Sequence, residues 1–462
     1  MLEQAIFFII GISVILFFSA VSYITFRTVL NPVSIILWWW GGWLLMANCS
    51  LTGLFLPSWR TNLLISVFLF SYIIGCFIPT AFHKRNYKLS SLKISNHIAI
   101  EKTNENYARI KKLGKFFSVC LMVVIPFMLY YAYVSVNAML SYGPGYRMLI
   151  ISSFHSAGVL FPSKFIAYFF RVVVASITYA YSFYAVSTFL FNRNYKVIFI
   201  SFVLVILQSA IYFSRSDIYL ILVVMLVAYF TFDSSFISKN SNVLRAKASL
   251  RKYFFFLFSV LLIITILRAG HSKIYELIRI YGIDYHTVGF VLLDQELSDP
   301  DSILHTQRTY GLSAVGGVER VVVTFLRRTD PNIHSIVFDN RAKHWAFTLT
   351  GFEPDGREKR YNALYNIVYG LYRDFGVVSV IVGGFLIGFI CSRAFIRWVM
   401  KGNICDYMMF ILLCVGLMMH SLLSSQLEST PLWFSIILFF FYKKVRIYKK
   451  SVRDTQVWHG KN

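Results

Sequence analysis

Residues 197–232 read VIFISFVLVILQSAIYF, SRSD, IYLILVVMLVAYFTF. Two apolar runs of 17 and 15 residues, Val197 to Phe213 and Ile218 to Phe232, are parted only by Ser214-Arg215-Ser216-Asp217. At 1.5 Å per residue, a helix made from either run falls short of a bilayer core about 30 Å thick. Two short spans joined by so tight a turn draw that turn below the headgroups. An arginine held there must face a cavity or a partner, because a charge in hydrocarbon is expensive. Arg215 is therefore the first candidate functional residue. The bland alternatives are an Arg215–Asp217 pair and snorkelling to the surface.

The rest of the chain has the same character. Its 462 residues are 57% hydrophobic and only 14% charged, against about a quarter charged in an ordinary soluble domain. That leaves too little polar surface for a water-soluble protein. The apolar residues fall in long blocks, so the expected fold is an all-α polytopic membrane protein with eleven transmembrane helices. The first three run Ala5 to Phe26, Pro32 to Leu56 and Leu63 to Phe82. Phe116 to Leu140 and Phe165 to Phe191 follow, then the two short spans, then Tyr253 to Leu267. Gly376 to Ile390, Cys405 to Leu423 and Pro431 to Tyr442 complete the set. The implied organisation is helices 1–8 in residues 1–267, a large loop over 268–375, helices 9–11 in 376–442 and a basic tail over 443–462.

Charge orients the chain. A formal net charge of +24 would suggest nucleic acid in a soluble protein, but here the basic residues sort by side. His83 to Lys115 carries nine Lys and Arg, Asp233 to Lys252 carries five, and the tail after Tyr442 carries seven. All three fall on one side if the spans alternate. That side is expected to be cytoplasmic, with the N-terminus periplasmic and the C-terminus cytoplasmic. No nucleic-acid partner is expected. The two sides also differ in kind: 17 Lys and 10 Arg inside, 4 Lys and 14 Arg outside. Positive-inside sorting does not predict an arginine-selective outer face. The guanidinium fork grips phosphate or carboxylate in two places, which points to an outer site for a phosphorylated or acidic ligand. Structural ion pairing in the loop is the competing explanation.

The six cysteines lie in or beside apolar segments, so neither a disulfide framework nor a zinc motif is expected. The N-terminus lacks a positive n-region, and no cleaved signal peptide is expected.

The large loop, Arg268 to Asp374, holds 13 basic and 13 acidic residues and five of the ten histidines. Its balance of charge suits a small extracytoplasmic subdomain. Arg171 lies about two turns inside its span, and Arg268 stands at the root of the loop, where interfacial anchoring is the alternative. Arg308, Arg320, Arg327 and Arg328 come close together, and the twin Arg327-Arg328 could clamp a pyrophosphate. Asp299-Pro300-Asp301 and Glu353-Pro354-Asp355-Gly356-Arg357 read as turns. No metal site is expected, since His334 and His344 lie ten apart with no cysteine nearby. The loop's carboxylates and His271, His286, His305, His334 and His344 form the pool for a general base. Tyr361, Tyr365 and Tyr369 recur every four residues, one aromatic stripe if the segment is helical. Such a stripe suits sugar binding or an interfacial belt. Arg373-Asp374-Phe375-Gly376 then leads into a span with Gly383, Gly384 and Gly388, small residues that permit close helix packing.

The short spans around Ser214-Arg215-Ser216-Asp217, and the stretch from Asn362 through Tyr372-Arg373-Asp374-Phe375-Gly376 to Gly388, resemble the O-antigen polymerases. These are the Wzy-type oligosaccharide repeat-unit polymerases. The plan also matches: many spans, a large late outer loop and a basic tail. The resemblance covers most of the chain as architecture and about fifty residues as sequence. It implies a membrane glycosyltransferase of the C-type, working at the outer face of the bacterial inner membrane. Its substrate would be an undecaprenyl-pyrophosphate-linked oligosaccharide, its product O-antigen polysaccharide, its cofactor none. A chain-length regulator of the polysaccharide co-polymerase type would be its partner. Arg215, Arg268, Arg327 and Arg328, with Arg171 and Arg373, are then expected on the pyrophosphate. Tyr365 and Tyr369 would contact sugar, with Asp374 or Glu353 as base. An O-antigen ligase, or a flippase or transporter of lipid-linked sugars, is the alternative.

Overall fold

The computed structural model describes residues 2–90, 96–142, 160–232, 241–269, 276, 278–327, 329–330, 332–338, 347–353, 355–361, 365–419 and 425–444. Among them, seven helices are long and apolar enough to cross a membrane, and four shorter apolar helices fall on the other four expected segments. In chain order these are α1 (Leu2–Phe26), α2 (Pro32–Ala47), α3 (Trp59–Ser90), α4 (Asn96–Tyr142), α5 (Lys164–Asn192), α6 (Tyr195–Tyr212), α7 (Ser216–Thr231) and α8 (Ser241–Ala269). The loop contributes α9 (Tyr285–Ser298), α10 (Ile303–Thr306), α11 (Gly316–Leu326), an antiparallel hairpin of β1 (Thr348–Phe352) and β2 (Glu358–Tyr361), and α12 (Ile367–Phe375). The last three apolar helices are α13 (Val377–Lys401), α14 (Ile404–Met419) and α15 (Thr430–Lys444). The chain is thus an α-helical protein with membrane-spanning helices.

The closest approach in the bundle is between α3 and α13, which run parallel and meet through glycine. A Cβ on Gly388 would sit 2.1 Å from the Tyr72 carbonyl oxygen, and one on Gly75 would sit 2.1 Å from that of Phe385. Gly384 faces Phe68 one turn earlier. With no side chains between them, the two backbones touch, and dispersion and short polar contacts replace the hydrophobic drive that lipid cannot supply. Ser392 donates to the Cys76 carbonyl at 2.7 Å, and the Cys76 thiol lies 3.3 Å from the Gly388 carbonyl.

Around this seam α2 is wedged. Its indoles Trp39 and Trp40 donate to the carbonyls of Met418 and Leu417, both at 2.9 Å. These carbonyls lie in the last turn of α14, where a helix offers its carbonyls to outside donors. Tyr72 donates to the Pro32 carbonyl, so α2 is tied to α3 as well.

Two points of the sequence reading are corrected. The second segment stops at Ala47, not Leu56. Residues 53–55 instead pair with the loop hairpin: the Phe55 amide donates to Thr350 at 2.8 Å and the Phe352 amide to Gly53 at 2.9 Å. Gly53 adopts φ +80°, which lets the chain turn there. The Tyr361–Tyr365–Tyr369 stripe does not exist on one helix. Tyr361 ends strand β2, Tyr365 precedes the cap, and only Tyr369 lies within α12, whose N-cap is Asn366. The described parts of 268–375 pack directly on span ends. Asp294 of α9 accepts from the Ser58 amide at 3.0 Å and the Thr61 hydroxyl at 2.6 Å, capping the start of α3.

Gly388→Leu should destabilise the bundle by at least about 2 kcal/mol, because its side chain must displace the Tyr72 backbone. Gly42→Ala, in α2 where a Cβ meets nothing within 4 Å, should leave stability unchanged or slightly raised. Thermal unfolding in detergent, followed by tryptophan fluorescence, compares the two; equal effects would mean the seam is not tight.

Candidate functional site

The polar residues of the loop converge on one end of the bundle, here called the loop end. Three π-helical turns are found in the described chain: Leu37–Gly41, Phe170–Val174 and Ile278–Asp284. Such turns carry one extra residue per turn and re-aim side chains, often at functional sites. They present Trp39 and Trp40, Arg171, and Arg279 to Asp284.

Arg171, Arg320 and the Ser214–Asp217 turn gather around the end of α6. Tyr212 lies within electrostatic reach of Arg171, Arg320 and Asp217. Burial, and then the neighbouring Arg171 charge, push Arg320 down to about 10. Its guanidinium stands 4.7 Å over the Phe338 ring. Arg215 lies 3.7 Å over the Tyr281 ring. Among the described residues it has no ion pair, and its buried Nη1 has no hydrogen-bond partner. The Arg215–Asp217 pair therefore does not form; Asp217 accepts instead from Gln208 at 2.9 Å. Arg171, Arg215 and Arg320 thus form one cluster of cations, with Asp217 turned to Gln208 and Glu319 within electrostatic reach of Arg320.

Beside this cluster stands His286 of α9. Its ring stacks on Trp43 with centroids 4.0 Å apart, and its Nε2 is 3.0 Å from the Tyr219 hydroxyl. Burial between these rings pushes the imidazole down to about 4, with only partial relief from the Gly282 backbone. The ring is therefore neutral at neutral pH, with its Nε2 turned to the Tyr219 hydroxyl.

The two expected carboxylate bases are placed differently. Asp374 is buried and accepts from four donors. Its Oδ1 takes the Thr309 hydroxyl at 2.6 Å and the amides of Gly311 at 3.0 Å and Ser313 at 3.1 Å; its Oδ2 takes the Ala314 amide at 3.2 Å. A carboxylate so occupied holds the 309–314 loop. Glu353 sits 2.5 Å from Arg279 and 3.6 Å from Lys359. Lys359 also pairs with buried Asp284 at 2.9 Å and donates to the Thr52 carbonyl at 2.5 Å. Tyr361 donates to the same Asp284 oxygen at 2.8 Å. This balanced group of two cations and two anions locks the hairpin onto the π turn and the 48–58 loop.

The remaining candidates split. Arg373 is buried, donates to the Ile336 carbonyl at 3.3 Å, and is lowered chiefly by burial. Ile336 lies two residues before Phe338, so Arg373 and Arg320 flank one segment. Tyr365 and Tyr369 have ring centroids 4.4 Å apart, and Tyr365 donates to Glu296 at 3.2 Å. Arg327 binds the Ile333 carbonyl at 2.7 Å, within its own turn. Arg308 likewise holds the Tyr372 carbonyl. Arg328 and the side chain of Arg268 lie outside the described residues, as do His271 and His344. Sequence reasoning named Arg320 and His286 only within larger groups and missed Tyr281 and Tyr219; no spacing ties residues from four separate elements. Among the described residues no three His, Cys, Asp or Glu side chains converge as a metal set would.

No protein-family model, no curated protein and no solved structure matches the chain.

Two tests follow from this geometry. His286 is depressed in the folded chain, so the unfolded chain binds its proton more readily between its ordinary value near 6.5 and about 4. Stability present above pH 6.5 should fall by at most about 3 kcal/mol as pH drops to 4. Glu296, raised by burial, works in the opposite direction. His286→Gln should flatten the acid limb of the melting-temperature profile; an unchanged profile would remove His286 as its cause. Asp374→Ala should lower stability by about 2–4 kcal/mol through loss of four accepted bonds, while Asp374→Asn, which spares Oδ1, should cost about 1 kcal/mol. Equal losses in the two variants would argue against the anchoring role.

Proposed function

We propose that this chain polymerises undecaprenyl-pyrophosphate-linked oligosaccharide repeat units into O-antigen polysaccharide at the outer face of the bacterial inner membrane. The observation that carries this reading is the arginine cluster. Arg171, Arg215 and Arg320 gather at the loop end, and Arg215 keeps a buried Nη1 without a partner among the described residues. Buried positive charge is costly, and a guanidinium nitrogen left without a partner, as on Arg215, favours an anion beside it. A pyrophosphate carries charge that grows as its glycosidic bond breaks, so preplaced guanidinium forks favour the transition state over the ground state. In this reading all eleven apolar helices cross the membrane, the N-terminus is periplasmic and the loop end faces outward. A chain-length regulator of the co-polymerase type would be the partner.

The reaction divides among the residues as follows. The growing glycan's anomeric carbon leaves the undecaprenyl pyrophosphate oxygen, and the bonding pair stays with the pyrophosphate, held by Arg171, Arg215 and Arg320. A hydroxyl of the incoming lipid-linked unit forms the new bond to that carbon. Its proton passes to His286, the titratable ring beside the cluster that is held in no ion pair among the described residues, and a pyrophosphate bound alongside would raise the proton affinity that burial depresses. Tyr365, Tyr369 and Arg373 hold the floor of the loop beside the acceptor. No cofactor enters the balance.

Purified protein in liposomes, given only the cognate lipid-linked repeat unit, should produce a ladder of longer lipid-linked glycans. Arg215→Lys, which keeps the charge and loses the fork, should cut the rate at least tenfold while the protein still inserts. Transfer to lipid A-core in place of a ladder would mean a ligase. Passage of the lipid-linked sugar across the bilayer without either product would mean a transporter.

A further inference from the structure

A cavity of about 520 Å³ lies between α13, α14 and α15, away from the arginine cluster. It runs from Leu371 at the loop end, past Leu386 and Ile390, to Arg393, Arg397 and Lys443 at the opposite end. From Gly383 to Arg397 the groove follows fifteen residues of α13, about 21 Å of helix, which is more than the depth of one leaflet. Its volume lies in the range of sites that hold small molecules, about 300–1,000 Å³. Leu386 and Ile390 are half exposed into it, at 49% and 50%.

The charges at the two ends decide what fits. At the end away from the loop, Lys443 is paired with Asp406. That leaves Arg393 and Arg397, which have no acidic partner among the described residues. They stand four apart on one helix face, where like charges repel and a shared anion reverses the sign. Neither is used by the loop-end site. The sequence that follows Lys444 adds Arg446, Lys449, Lys450, Arg453 and Lys461 against Asp454 alone. At the loop end the described lining is Ala314, Val315, Ile367 and Leu371, with no cation. A lipid entering with its headgroup at the loop end would find apolar side chains where its phosphate must sit. A lipid entering from the other end finds two guanidinium forks followed by an apolar trough.

We propose that this groove binds one anionic phospholipid from the leaflet at the Arg393 end, with its phosphodiester on Arg393 and Arg397 and an acyl chain along Leu386 and Ile390. The site is separate from the glycosyl-transfer centre and stands whether or not that reading holds. The phosphate is gripped by charge-assisted hydrogen bonds that a zwitterionic headgroup weakens, because its own ammonium competes with the guanidinium groups.

The test is native mass spectrometry of delipidated full-length protein, given dioleoylphosphatidylglycerol or dioleoylphosphatidylcholine. One phosphatidylglycerol should be retained with at least tenfold preference over phosphatidylcholine, and should raise the melting temperature. The Arg393→Gln, Arg397→Gln double variant should lose that preference. Leu386→Trp keeps the charges and fills the trough, and should lose retention by at least tenfold. Arg393→Lys, Arg397→Lys should be intermediate, which separates charge from misfolding. Equal binding of the two phospholipids would overturn the proposal, as would full retention in the glutamine double variant. Displacement of phosphatidylglycerol by undecaprenyl phosphate with no effect of the arginine changes would assign the groove to a polyprenyl chain instead.

Discussion

Contact between the α3 and α13 backbones through Gly75, Gly384 and Gly388 is the constraint on which the remaining architecture rests. In a bilayer, apolar surface gains nothing by leaving lipid, so helices stay together only where packing is closer with each other than with acyl chains. Glycine makes that possible along this seam, and the Ser392 hydroxyl closes it with a bond to the Cys76 carbonyl. With α3 placed, Trp40 is fixed by Phe68 on one side and by the Leu417 carbonyl on the other. With Trp40 placed, Phe290 of α9 packs on it at 6.0 Å, and the loop acquires its seat. The position of His286, four residues earlier on the same helix, is then a consequence of the seam.

The site differs from its scaffold in how charge is balanced. Asp284, Lys359, Glu353 and Arg279 are matched one to one, and Asp374 is satisfied by a ring of amides and a hydroxyl. Both arrangements spend polar groups on holding loops in place, because a buried charge left alone would be intolerable. Around Tyr212 the pattern differs: Arg215 and Arg320 stand over aromatic rings, the charges of Arg171 and Arg320 oppose one another, and Asp217 is turned to Gln208. The buried Nη1 of Arg215, without a partner among the described residues, is the feature on which the proposed anion site rests.

Much of this was legible beforehand. Eleven apolar segments stand out because lipid imposes a long, nearly charge-free pattern, and each coincides with an apolar helix. The limits of that signal are equally physical. The helices α4 and α8 begin at Asn96 and Ser241, well inside the basic segments, because hydropathy marks what lipid touches and not where hydrogen bonding stops. The Tyr361–Tyr369 spacing mimicked a helix although the chain changes from strand to helix at Asn366; a period of four over three residues cannot tell the two apart. Arg215 was identifiable because an arginine between two short spans is anomalous on its own. Arg320 and His286 were not, since their meaning comes from neighbours more than fifty residues away. The π turns leave no mark in composition, yet one of them aims Arg171.

The seam also sets a clock. Cys76 and Gly388, which touch in the folded protein, are 312 residues apart in the chain. At a synthesis rate of about 5–20 residues per second, α3 is made and inserted roughly 15–60 s before its partner exists. During that interval it must shelter in lipid or against a temporary neighbour, with Gly75 and Ser71 facing no matching helix. Assembly of the bundle is therefore postponed until α13 has been made, and loss of α13 would leave α3 without the surface against which it packs.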